Sequence, residues 1–183
     1  ILYRLVGSEM CIRDRINVFI RFADDPEFSE PRSYYDAVFQ TDNDEPSLKH
    51  YFWEISYNNL LVNTYHYPGT FGMNNTAYVD QFNRSYYQPY SGANPDGYQD
   101  SNERTQREHT LLANAINAIA PSVSPLLDID ADGNGFVDAV SFVIYGGTGD
   151  WADLLWPHRW ALYSQEVFIN GARVYDYLFM LGG

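Results

Sequence analysis

The sequence predicts an α+β fold, and three segments carry the prediction. Ile16 to Phe22 (INVFIRF) is a β-branched and aromatic run of strand length. A helix is expected from about Asp100 or Ser101 to about Ala120, just before Pro121, with Leu112, Ala115, Ile116 and Ile119 forming one apolar stripe. Ala139 to Tyr145 (AVSFVIY) is an almost unbroken apolar run, the pattern of a central strand covered on both faces.

The remaining elements follow in order. The first strand stops at Ala23-Asp-Asp-Pro26, a turn signal, and a short helix is expected around Tyr34 to Gln40. A second helix opens at Pro46, a favoured first helical residue, with Asp44 or Glu45 just before it. Its apolar stripe is Leu48, Tyr51, Phe52 and Ile55, and Asn58-Asn59 ends it. Leu60 to Tyr67 reads as a strand closed by Pro68-Gly69. Residues 68–101 are rich in Gly, Pro, Asn and Tyr, a long irregular stretch of the kind that carries function or wraps a scaffold. Val167 to Val174 suits a hairpin turning at Asn170-Gly171. The last run, Val174 to Leu181, is strongly apolar and stops at Gly182-Gly183, so the fold is expected to be incomplete. No internal repeat is visible.

The chain has 183 residues, a size that one domain can take. Its net charge of −13 with only 11 Lys and Arg argues against nucleic acid, which needs clustered cations. No apolar run is long enough to span a bilayer. The one cysteine, Cys11, has no partner for an intrachain disulfide. Residues 1–15 (ILYRLVGSEMCIRDR) resemble the translation of a sequencing adapter joined to a partial gene; the plain alternative is an ordinary N-terminal strand. Read as foreign, they leave residues 16–183 as the protein proper. The stretch holds three Arg against Glu9 and Asp14, so the remainder carries −14.

The sharpest chemistry lies in Asp128-Ile-Asp-Ala-Asp-Gly-Asn-Gly-Phe-Val-Asp138, where oxygen donors recur at alternate positions. Ca²⁺ takes six to eight oxygens, and glycine permits the tight turn that points them inward. Two registers fit. Counting from Asp128 gives the opening of an EF-hand loop, but its twelfth position is Ala139 where a bidentate Glu is needed. Counting from Asp130 gives a shorter loop with Asp130, Asp132, Asn134, the Phe136 carbonyl and Asp138 as ligands, ending on a strand. The second register is preferred. Four carboxylates this close repel one another without a cation, and the ion's expected role is to pin the loop that leads into the central strand.

The histidines offer less. His50, His66, His109 and His158 contain no H-x-x-x-H pair, so no zinc helix is present. His50 and Glu54 suit an exposed ion pair, His109 a place at the edge of the core, and His158 a packed, hydrogen-bonded position within Leu154-Leu-Trp-Pro-His-Arg-Trp160. Neither a phosphate loop nor a G-x-S-x-G elbow occurs.

Four segments in order resemble the peptidase domain of immune inhibitor A-like metallopeptidases, the sixth metallopeptidase family. Ile16 to Phe22 with Ala23-Asp24-Asp25 is similar to the family's opening strand and turn. Ser47-Leu-Lys-His-Tyr-Phe-Trp-Glu-Ile-Ser-Tyr57 with Asn59-Leu60 resembles its Y-F-x-E-x-S-Y-G helix, Asn58 standing in the usual Gly place. Asp130-Ala-Asp-Gly-Asn-Gly-Phe-Val-Asp-Ala139 is similar to its D-x-D-G-D-G-x-V-D-A loop with Asn134 for an Asp, and Trp156-Pro-His-Arg-Trp160 to its W-P-H-x-W. The resemblance implies the upper, N-terminal lobe of a zincin-like fold, a twisted mixed sheet with backing helices. It also implies a secreted endopeptidase acting on proteins or peptides, with Zn²⁺ held by an H-E-x-x-H helix that follows this point in the family. That motif is absent here, so no catalytic residue is assigned. Two other classes compete: a calcium-binding adhesion module, which normally repeats the acidic loop, and a carbohydrate-binding domain, suggested by the Tyr-rich stretch 78–98. The second class is usually all-β, and the patterned helix near 101–120 speaks against it.

Overall fold

The computed structural model describes residues 11–41, 46–151 and 153–182. Its centre is a mixed sheet of five strands in the order β2-β1-β4-β8-β5. These are β1 (Cys11–Arg21), β2 (Leu60–Tyr67), β4 (Val140–Tyr145), β5 (His158–Ala161) and β8 (Asp176–Gly182). β1, β2, β4 and β8 run parallel, and β5 runs antiparallel along β8 at one edge. A two-residue strand, β3 (Tyr78–Val79), extends the β2 side by pairing with Ile20 and Arg21 of β1. Sheet and helices together make an α+β architecture.

Each face of the sheet has its own cover, which is why β1 and β4 read as continuous apolar runs. Ile16, Val18 and Ile20 of β1, with Val140, Phe142 and Ile144 of β4, pack on α3 (Ser101–Ile119). Leu111, Leu112, Ala115, Ile116 and Ile119 are buried on that helix, as its stripe predicts. Asp100 caps it by accepting from Glu103 N at 2.8 Å, and Glu103 reaches back to Gln99 N. On the opposite face Phe19 and Val143 meet Phe28 and Tyr35, the latter from α1 (Arg32–Gln40). Residues 68–100 wrap the molecule and are fastened by two arginines. Arg84 donates to the Tyr145 and Gly147 carbonyls at the end of β4, and Arg107 donates to the Tyr86 and Asp96 carbonyls.

Several expectations change. β1 starts at Cys11, not Ile16: residues 11–15 pair with Leu60–Thr64 of β2, and Asp14 and Arg15 are buried. The strand extends because β2 is long enough to hold those residues, whatever their origin; residues 1–10 lie outside the described residues. The second helix, α2 (Leu48–Ile55), opens at Ser47, whose hydroxyl accepts from His50 N at 3.1 Å. A side-chain cap outranks the proline, and Asp44 and Glu45 lie outside the described residues. The expected stripe of α2 is not buried, since Tyr51 and Ile55 are both more than half exposed. The sequence does not predict β5, because the four residues that follow Trp156-Pro157 carry too little pattern. The hairpin is as expected: β6 (Phe168–Ile169) and β7 (Ala172–Arg173) flank Asn170 at φ 50° and Gly171 at φ 91°, both left-handed as a tight two-residue turn requires.

Candidate functional site

Two regions bring chemistry together, and the first is the acidic loop between α3 and β4. Asp130 accepts from Asn134 N at 2.9 Å and from Gly135 N at 3.0 Å, one bond on each carboxylate oxygen. Asp132 accepts from the same Asn134 N at 3.1 Å and from the Asn134 side-chain amide at 2.9 Å. Asn134 Oδ1 in turn accepts from Phe136 N. Gly133 and Gly135 take positive φ, 68° and 84°, which lets the chain turn back on itself. Asp138 closes the loop by accepting from Ala131 N at 3.0 Å, and the same oxygen takes Arg13 at 2.8 Å. The loop is anchored outside by Val137 N to Arg173 O and Arg173 N to Gly135 O.

Asp130, Asp132 and Asn134 are thus brought together, and Asp138 joins them through one amide. Asp128 stands apart: its backbone N–H donates to Asp14 Oδ2 at 2.8 Å, outside the loop's own network. The carboxylates turn onto the loop's amides here. Among the described residues no three His, Cys, Asp or Glu side chains form a group able to hold a metal ion. In kind, the set of three carboxylates, one amide oxygen and one carbonyl suits a hard cation such as Ca²⁺ and not Zn²⁺, which prefers nitrogen and sulfur. Among the described residues the four histidines fall in no such group either; they lie on α2, β2, α3 and β5.

The second region lies where α3 meets β8 and β5. Glu108, on the buried face of α3, accepts from the Tyr177 hydroxyl and from His158 Nε2, the latter at 2.9 Å, on the same oxygen. His158 Nδ1 lies against the Trp156 carbonyl, and the ring stacks on Phe179 at 5.0 Å. Both ring nitrogens face acceptors, an arrangement that stabilises the protonated ring. Burial pulls the His158 pKa down, but the Glu108 carboxylate and the Trp156 carbonyl outweigh it and the net shift is upward. Burial pushes the Tyr177 hydroxyl far up, with the Glu108 charge adding to it. His109, fully buried, is bonded through Nδ1 to Ser164 Oγ at 2.6 Å, and burial lowers its pKa. Glu108, His109 and His158 line a cleft of about 160 Å³ that Trp151, Trp156 and Trp160 frame.

His158 therefore has the packed, hydrogen-bonded position expected of it, and His50 pairs with Glu54 at 3.3 Å on α2. His109 is deeper than the core edge expected. Glu108 and Tyr177 escaped the sequence reading. The available signal was a carboxylate at position 108 in line with Leu112, Ala115 and Ile119, a charge on an otherwise apolar stripe.

No protein-family model matches this chain, and no curated protein matches it.

Proposed function

We propose that this chain is part of a secreted zinc-dependent endopeptidase of the immune inhibitor A type, carrying a calcium-stabilised loop but not the zinc ligands. The observation that carries the reading is the ordered set of four family-like segments and their use in one sheet. The first is β1, the second is α2 and the turn into β2, the third is the loop feeding β4, and the fourth begins β5. A sheet of this kind with backing helices is what a zincin-like lobe requires. The free edge of β5 adds support, for among the described residues it pairs only with β8. An open strand edge offers N–H and C=O groups to an extended peptide, the conformation in which proteases take their substrates.

Asp130, Asp132, Asn134 and Asp138, with the Phe136 carbonyl, would hold Ca²⁺. The ion offsets the mutual repulsion of the carboxylates and fixes the entry into β4. Its role is structural. Hydrolysis by the family's route needs a metal with several protein ligands, an open coordination position and a base beside bound water. No residue of this chain is assigned to any of those roles.

The test is to clone the contiguous gene and assay a general protein substrate with and without a zinc chelator. The longer protein is expected to cleave it in a chelator-sensitive way, and residues 16–183 alone are expected to be inert. Chelator-sensitive cleavage by the short chain, or a longer gene without H-E-x-x-H, would defeat the proposal.

A further inference from the structure

We infer that the cleft framed by Trp151, Trp156 and Trp160 is a binding site for a neutral sugar ring. The inference is independent of the peptidase reading and stands or falls without it. Three of the chain's four tryptophans converge here. They remain 78%, 39% and 53% exposed, although indole is among the side chains that gain most from burial. Trp160 and His158 alternate along β5 and share the face that meets α3, so strand geometry sets both on the cleft.

Charge selects the class of ligand. The Glu108 carboxylate is already matched by His158 and Tyr177. Asp153 accepts from Asp150 N and Tyr98 Oη, and Arg104 is engaged within the protein. The charged groups around the cleft are thus already engaged with partners in the protein, so a charged ligand finds no open counter-charge there. A purely apolar side chain would bury the polar rim of Arg104, Thr105 and Asp153 without replacing its water, which is costly. A pyranose meets both demands: its C–H face covers an indole, and its hydroxyls replace water at the rim. The small volume admits one ring, well below the range of ordinary ligand pockets of roughly 300 Å³ and above.

The experiment titrates the full chain with methyl β-glucopyranoside and with N-acetylglucosamine while following the indole Nε1–H resonances. Resonances of Trp151, Trp156 and Trp160 are expected to move and saturate in the millimolar range normal for a ligand this small, while Trp53 on α2 stays still. Trp160→Ala, at a half-exposed position, should keep the melting temperature and weaken binding about tenfold, the loss of one stacking contact. Absence of a saturable shift with both sugars up to about 100 mM, far above a millimolar Kd, overturns the inference. An unchanged affinity in Trp160→Ala does the same. Shifts with acetyl-Ala-Phe-Ala-amide but neither sugar would make the cleft a peptide subsite, and shifts with tetramethylammonium alone a cation cage; either result overturns it as well.

Discussion

Asp138 serves two partners with one oxygen, Arg13 and the Ala131 amide, and a bound cation would compete with the first. Arg13→Gln should therefore tighten calcium binding a few-fold at low salt, an effect that shrinks as salt screens the charge; calorimetry in two ionic strengths reads it directly. Binding linked to folding also raises the melting temperature. Asp132→Ala should abolish that rise, because Asp132 shares Asn134 N with Asp130 at the heart of the loop. Asp128→Ala should leave it, since the loop's hydrogen bonds run through Asp130, Asp132, Asn134 and Asp138, and the Asp128 bond to Asp14 is made by its backbone N–H, which alanine keeps. The reverse pattern would restore the EF-hand register. Two histidines shift in opposite directions. Burial, with Arg32 and Arg15 nearby, lowers His66 from 6.5 to about 3. Between those values only the unfolded chain takes up the proton, so stability falls as pH drops, by at most about 1.4 kcal/mol per pH unit. His158 is raised, so its contribution is complete below 6.5 and is lost as pH climbs through its folded value. Urea titrations across pH should show His66→Gln flattening the fall in stability below 6.5 and His158→Gln removing the loss that sets in above it.

Among the elements, β1 carries the strongest expectation. A chain beginning at Ile16 loses five residues paired to β2, together with the buried Arg15 and its bond to Ser141. Its melting temperature should fall by more than about 5 °C, on the order of 1 kcal/mol or more for a domain of this size. An unchanged melting curve would mean that those residues only lie along the sheet. Removing the α3 cap with Asp100→Ala should cost about 1 kcal/mol, read by denaturant unfolding. What the sequence made legible follows from pattern length. The α3 stripe, the β4 run and the Asn170-Gly171 turn were each readable because helix period, two-sided burial and left-handed dihedrals constrain residue type locally. β5 and the true burial of α2 were not readable, because a four-residue strand has no period and the packing of a short helix is decided by distant partners. The tight turn at Gly133 and Gly135 could be read for the same local reason. The Glu108–His158–Tyr177 cluster joins three elements, and it takes both the register of β5 on β8 and the packing of α3 on the sheet to bring it together.

At the scale of the molecule, the order β2-β1-β4-β8-β5 makes nearly every strand neighbour distant in sequence. The pairing of Ile16 with Val140 is the clearest case, since the first strand finds one of its two main partners only after most of the chain has been made. Loop-closure entropy must be met before such contacts return anything, so refolding should be slow, milliseconds to seconds, in spite of the fast-forming α3. Stopped-flow refolding checks this: helix circular dichroism should recover before tryptophan fluorescence, and a single fast phase by both probes would contradict it. During synthesis β1 emerges before its partner β4, and Ile16, Val18, Phe19 and Ile20, all fully buried in the finished fold, lack that neighbour until β4 arrives. In that interval a nascent chain of this topology is most exposed to misassembly, and shielding by a chaperone would matter more for its yield than any single contact in the folded state.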